Sequence, residues 1–394
     1  MHRLRKELQQ ALGDLKFTTL TEVQLAALDP AVQGKDLIVQ SYTGTGKTGA
    51  FLLPVLHNLK QGSRDTQVLV LTPTRELAVQ VANDCFKFAK HLRINIAVVY
   101  GGASIGNQVR KLHAGAQVVV GTPGRVLDLI DRGVLRLEDV TSVVIDEADV
   151  MLDMGFQRDV EKILSYTPEN RQTMLFCVDL PSEIRSMVNK HMRSPIRINL
   201  LKEEKTVSTV EQWVYPISPV KRFSFLIHLL NELKPTRSIV FCRTKHSTRK
   251  LAFQLQNKGF HAQELHGNLT QSRRDGIMAD FKAGEIDLLI ATDVAARGIH
   301  VNQISHVFNY ELPHDIKYYL HRIGRTGRMN TVGDAISLVA PAEESVLREI
   351  ERLIGKKLER KEVPAQFKPT GGESSGSHRP HGFHAYRQER RRLF

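Results

Sequence analysis

The sequence predicts two α/β units in series, each a mostly parallel sheet flanked by helices. Three observations carry that class. Short β-branched runs alternate with amphipathic stretches, the pattern of parallel strands covered on both faces. The alternation halts at a polar interruption and then resumes. The length of 394 residues is enough for two units with a core each.

Along the chain, the first runs are Asp36-Leu37-Ile38-Val39, Val68-Leu69-Val70-Leu71, Val118-Val119-Val120 and Val143-Val144-Ile145. The polar segment Lys202-Glu203-Glu204-Lys205 breaks the pattern between Leu200 and Ser208. A second set follows: Ser238-Ile239-Val240-Phe241, Asp287-Leu288-Leu289-Ile290 and His306-Val307-Phe308. The expected units are residues 1–203 and 208–362. Residues 363–394 read as a flexible basic tail, with the linker-like Gly371-Gly372-Glu373-Ser374-Ser375-Gly376-Ser377 and six Lys/Arg against two acidic residues from Gln366 onward. A solvating tail and a phosphate-binding arm both fit it, and in the second case Phe383 and Tyr386 are available to stack on bases.

Composition narrows the class of partner. With 41% apolar and 25% charged residues, collagen, coiled coil and wholesale disorder are excluded. The 55 Lys+Arg against 42 Asp+Glu leave +13, which points to a polyanion without choosing between nucleic acid, an anionic membrane and simple solubility. No run approaches the roughly 18 to 20 apolar residues of a membrane span, and the N-terminus leads into an amphipathic stretch, so a cytoplasmic protein is expected. Cys85, Cys177 and Cys242 are widely separated, which gives neither a disulfide framework nor a zinc spacing and fits a reducing compartment.

The chemistry begins directly after the first run, at Ser41-Tyr42-Thr43-Gly44-Thr45-Gly46-Lys47-Thr48. A strand feeding a glycine-rich turn and then a helix wraps backbone N–H groups around a phosphate, and the helix N-terminus adds positive potential. Lys47 is placed to reach the β- and γ-phosphates and Thr48 to ligate magnesium; Ser41 stands where the general pattern has glycine. Such a site needs a carboxylate at the end of another buried strand, and Val143-Val144-Ile145 runs into Asp146-Glu147-Ala148-Asp149. There Asp146 would hold the metal and Glu147 would orient or deprotonate the attacking water.

Asp146-Glu147-Ala148-Asp149 is also the name-giving motif of the DEAD-box RNA helicases, which the chain resembles from Phe17 to about Val339, as a bacterial-type minimal core of two RecA-like domains. The resemblance implies an ATP-dependent RNA helicase that binds single-stranded RNA with weak sequence preference and opens short duplexes as a monomer. It implies that Phe17 stacks on adenine and that Gln24 pairs with its edge. Lys16 and Leu20 replace the family's usual glycine and proline.

Three further segments of the first unit match: Pro73-Thr74-Arg75-Glu76-Leu77-Ala78, Gly101-Gly102 and Thr122-Pro123-Gly124-Arg125. Each follows an expected strand, where doubly wound sheets place ligands. By resemblance Thr74, Arg75, Gly102, Thr122 and Arg125 hold RNA phosphates, joined by Arg274 and Thr292 of the second unit. Gly298 would complete the nucleotide site. Within His321-Arg322-Ile323-Gly324-Arg325-Thr326-Gly327-Arg328, Arg325 and Arg328 match the arginine fingers, an electrostatic contribution worth about 10³- to 10⁵-fold in related phosphoryl transfers.

The chain departs from the family at two places. Cys177-Val178-Asp179 replaces Ser-Ala-Thr, whose hydroxyls link the metal-binding carboxylates, including Asp149, to His321. A carboxylate at Asp179 is expected to crowd Asp146 and Asp149 unless it is protonated or pairs with His321. His300 replaces an aspartate that contacts ribose. The alternative function is therefore an ATP-responsive RNA clamp or scaffold with weak unwinding.

Overall fold

The structure is a computed structural model that describes residues 3–42, 44–201, 210–296, 304–327 and 333–368. The first unit is a sheet of seven parallel strands: β1 (Leu37–Gln40), β2 (Val68–Leu71), β3 (Ile96–Val99), β4 (Val118–Gly121), β5 (Ser142–Ile145), β6 (Gln172–Cys177) and β7 (Ile196–Asn199). Their order across the sheet is β3-β4-β2-β5-β6-β1-β7. The second sheet comprises β8 (Val210–Pro216), β9 (Ser238–Phe241), β10 (Ala262–Leu265), β11 (Leu288–Ala291), β12 (His306–Asn309), β13 (Gly333–Val339) and β14 (Glu359–Arg360), ordered β10-β11-β9-β12-β13-β8-β14.

Both faces of the first sheet are buried. Val39, Val70, Val120, Val144 and Phe176 pack on one side, and Ile38, Leu69, Val119, Val143 and Leu175 pack on the other. Successive residues of a strand point to opposite faces, so only a nearly continuous apolar run satisfies helices on both sides. That is why the runs stood out in the sequence. Of the strands without such a run, β7 is an exposed edge and β14 has two exposed residues.

Register sets the site. β6 lies between β5 and β1, with Ile145 opposite Leu175 and Gln40 opposite Cys177. The phosphate loop, the acidic segment and Cys177-Val178-Asp179 therefore leave one sheet edge side by side. β2, β4 and β3 deliver Thr74, Thr122 and Gly102 from the adjoining stretch of that edge.

The polar join at 202–205 lies outside the described residues. Val363, placed in the tail by sequence, is instead 7% exposed against the second core, and the Phe367 ring lies 5.2 Å from that of Phe225. Folded structure therefore continues to Lys368, because two apolar side chains five residues or fewer beyond the expected boundary find cover. Among the described residues, no helix is long and apolar enough to cross a membrane.

Candidate functional site

Gly44 and Gly46 adopt left-handed backbone, φ 84° and 98°, which a β-carbon disfavours. They turn the chain into helix Lys47–Asn58. Lys47 is buried and donates from Nζ to the Ser41 carbonyl at 3.1 Å, so its ammonium already sits within the loop. The Thr45 hydroxyl donates to the Tyr42 carbonyl at 3.0 Å, and Thr48 lies partly buried on the first helical turn.

Gln24 joins this loop directly. Its Nε2 donates to the Gly46 carbonyl at 3.0 Å and its Oε1 accepts the Thr21 N–H at 3.0 Å. Both ends of the amide expected to pair with adenine are thus engaged by the chain itself. Phe17 is aimed by a helix cap: the Phe17 N–H bonds the Leu12 carbonyl and the Lys16 N–H bonds that of Gly13, each at 2.9 Å. This is a Schellman arrangement, which needs left-handed backbone at the intervening residue. That residue is Lys16, with φ 56°.

Asp146 follows β5 and is 3% exposed. Burial pushes its carboxyl up to about 7; Lys47 opposes the shift, while Glu147 and Asp149 add to it. Glu147 has left-handed backbone, φ 52° and ψ 52°, and its N–H donates to Asp146 Oδ1 at 3.0 Å. A non-glycine residue held there costs of order 1–3 kcal/mol and persists only where the surroundings enforce it.

The expected crowding by Asp179 is corrected. Asp149 Oδ2 accepts the main-chain N–H groups of Val178 and Asp179, each at 2.9 Å. The Asp179 side chain turns away and meets Lys317 Nζ at 2.6 Å. Asp149 is thereby held by backbone donors that any residues but proline at 178 and 179 would supply. The Cys177 thiol is buried, and burial raises its pKa, with Asp149 adding to the rise.

A second cleft lies between the units, lined by Thr74, Arg75, Gly101, Thr122, Arg125 and Arg274 among others. Arg75 Nη1 donates to Gln271 Oε1 and Arg274 Nη2 pairs with Glu76 Oε1, both at 2.8 Å, so cations and acceptors of the two units already meet across it. Gly102, at φ 78°, leaves room for Arg75: a β-carbon there would overlap the guanidinium. Thr74 caps helix Arg75–Phe88 by accepting the Leu77 N–H, Thr122 precedes helix Pro123–Asp131, and Arg125 donates to Gln108 at 3.1 Å. Thr292 is buried at the end of β11.

Helix Lys317–Ile323 carries His321 and leads into Arg325, which is 3% exposed and donates from Nε to the His321 carbonyl at 3.1 Å. Arg322 is a residue that sequence reasoning missed. Its Nε and Nη2 grip Asp293 at 2.5 and 2.8 Å, and its Nη1 reaches Asn309 and the Glu311 carbonyl. It locks the helix to the segment after β11; the available signal was three arginines spaced by three along one short stretch. Thr43, Gly298, His300 and Arg328 lie outside the described residues.

A sequence model described as DEAD/DEAH box helicase matches residues 21–185, and one described as Helicase conserved C-terminal domain matches residues 221–330. The DEAD-box ATP-dependent RNA helicase CshA of Bacillus cereus is 42% identical over 361 residues, covering 92% of this chain and 69% of the relative. The CshA of Bacillus subtilis is 40% identical, covering 92% and 73%. Among solved structures, S. cerevisiae Dbp5 bound to RNA and ADP BeF3 superposes with a TM-score of 0.84 at 31% identity, covering 91% of this chain and 94% of that one.

Proposed function

This chain belongs to the DEAD-box helicase family, and from that membership we propose that it is an ATP-dependent RNA helicase whose two RecA-like units bind ATP and RNA across a shared cleft. The observation that carries the reading is the convergence of the phosphate loop, Asp146-Glu147 and the Arg75–Gln271 and Arg274–Glu76 contacts on facing edges of the two sheets.

The roles follow from placement. Backbone N–H groups of the loop through Ser41, Tyr42, Thr43, Gly44, Thr45 and Gly46 cradle phosphate, and Lys47 exchanges the Ser41 carbonyl for phosphate oxygens. Phe17 and Gln24 flank the base and Gly298 closes the site from the other unit. Glu147 takes a proton from the attacking water. Arg325 and Arg328 offset the charge that develops at the γ-phosphate once the units close.

Among the described residues, no group of three or more His, Cys, Asp or Glu is arranged to hold a metal. The oxygen donors at hand are the buried Asp146 carboxylate and the Thr48 hydroxyl, which suits a magnesium ion that arrives with nucleotide phosphates and takes few protein ligands. When bound, the ion would neutralise phosphate charge and, through the same attraction, favour the ionised form of Asp146.

On the RNA side, Thr74, Arg75, Gly102, Thr122, Arg125, Arg274 and Thr292 bring hydroxyls, guanidinium groups and helix N-termini, which hold backbone without reading bases. A strand clamped there in a bent path cannot remain in an A-form duplex. The clamp alternative rested on the hydroxyls lost at Cys177 and Asp179, on carboxylate crowding and on His300; the contact of Asp179 with Lys317 bears on the crowding alone. Three buried free thiols fit a reducing, cytoplasmic setting.

The test is steady-state ATPase with single-stranded RNA, duplex RNA or DNA at two salt concentrations, beside unwinding of a short RNA duplex. Stimulation by RNA over DNA together with unwinding is expected. RNA stimulation without unwinding would favour the clamp, and preferential stimulation by DNA would overturn the reading.

A further inference from the structure

We propose that Lys317 and Asp179 are positioning residues that set how the arginine-bearing helix docks on the nucleotide-binding unit, an inference that rests on the helicase reading above. Asp179 is the residue that replaces a hydroxyl of the family pattern, and its carboxylate is organised for a partner across the cleft. Its Oδ1 accepts the N–H of Leu180 at 2.9 Å, which leaves Oδ2 to take Lys317 Nζ at 2.6 Å. The main chain at 178–179 is itself bonded to Asp149, so the carboxylate stands on a base tied to the acidic segment.

Lys317 begins the helix whose other end carries the arginines, and its N–H is held by Asp315 Oδ1 at 3.0 Å. The next residue repeats the crossing: the Tyr318 hydroxyl donates to Asp153 Oδ2 at 3.1 Å. Asp153 ends helix Ala148–Asp153, which starts directly after Glu147. Two consecutive residues of one unit thus contact two carboxylates of the other: one closes the helix that follows the acidic segment, and the other belongs to a residue whose N–H is bonded to Asp149. Asp179 is the main influence raising the Lys317 pKa, with Asp315 and Asp153 adding smaller attractions.

The path from Lys317 to Arg325 is stiff. It is one helix followed by the bond from Arg325 to the His321 carbonyl, and Arg322 anchors it to Asp293. A displacement at Lys317 is therefore carried to Arg325. In this chain an ion pair takes over part of the link between closure and the acidic segment that a hydroxyl-to-histidine bond makes in the family pattern. Both side chains are about half exposed, so the pair is screened by salt and contributes only a few-fold to the closing equilibrium.

The test uses the full chain, Asp179→Lys, Lys317→Asp and the double exchange, with one dye on each unit and energy transfer read with RNA and AMP-PNP. RNA-stimulated ATPase is read on the same four proteins. Each single reversal should raise the RNA concentration for half-maximal closure about three- to tenfold at low salt, by a larger factor than it lowers turnover. The shift should shrink at 0.5 M salt, where the Debye length falls to about 4 Å. The double exchange should return closure to within about twofold of the parent.

Singles that close like the parent, or a double exchange no better than the worse single, would overturn the proposal. A parent that closes but shows no RNA-stimulated turnover would count against the helicase reading alone, because the closure comparison still decides the ion pair.

Discussion

Gln24 donates its side-chain amide to the Gly46 carbonyl at 3.0 Å, so the segment that carries Phe17 is bonded to the phosphate loop. The same side chain packs against two glycines: β-carbons built at Gly46 and Gly49 would stand 2.8 and 2.6 Å from Nε2. Adenine recognition and phosphate-loop geometry therefore share one residue.

Replacing Gln24 by Ala should remove two hydrogen bonds worth about 1 kcal/mol each and raise the KM for ATP about 10- to 30-fold, as initial-rate kinetics would show. Gln24→Glu keeps the acceptor for Thr21 but sets a carboxylate against the Gly46 carbonyl, so it should not rescue. Full rescue by glutamate would mean that the bond to Gly46 is unimportant.

Lys16 occupies left-handed backbone that the cap ahead of Phe17 requires. Lys16→Gly should therefore stabilise the first unit by about 1 kcal/mol, raising its Tm by roughly 2–4 °C. Calorimetry checks this, and an unchanged or lower Tm would show that the residue is unstrained.

The strands and the phosphate loop were legible because their signals are local. A run such as Val143-Val144-Ile145 must be apolar on both faces, and glycines before Lys47 are forced by the turn. Edge strand β7 carries no such signal, since three of its four residues are exposed. The Lys317–Asp179 contact spans 138 residues, so no sequence window holds both partners. The altered Cys177-Val178-Asp179 was legible as a departure, but its consequence depended on where the carboxylate turns, which packing decides. Arg322 was hidden for a similar reason: its partner Asp293 is fixed only by the second sheet.

Burial raises all three thiol pKa values, that of Cys85 to about 12 from an ordinary 9.0, and the other two further. An acid whose folded pKa is raised supports the fold fully below its unfolded pKa and loses that support as pH rises above it. Stability should therefore be flat with respect to these groups below about pH 9 and fall above it, by up to about 1.4 kcal/mol per pH unit for each thiol in the affected unit. Denaturant melts at pH 8, 9 and 10 measure the slope, and a thiol reagent at pH 8 should label none of the three until the chain is unfolded.

The tail and the second core can be separated by truncation. Ending the chain after Lys368 removes five arginines and two glutamates, and should lower RNA affinity and its salt slope while leaving saturated ATP turnover largely intact. Ending it after Glu362 also removes Val363 and Phe367, and should cost the second unit about 3 kcal/mol of stability. Equal melting of the two truncations would show that the Phe367 contact is dispensable.

If ATP and RNA are bound across one cleft and each favours its closure, their affinities must be coupled by one reciprocal factor. The direct measurement is the Kd for a short single-stranded RNA with and without saturating AMP-PNP and magnesium, paired with the Kd for AMP-PNP with and without saturating RNA. Each ligand should tighten the other by the same factor, on the order of 5- to 150-fold. Affinities that do not change would contradict a shared closing cleft.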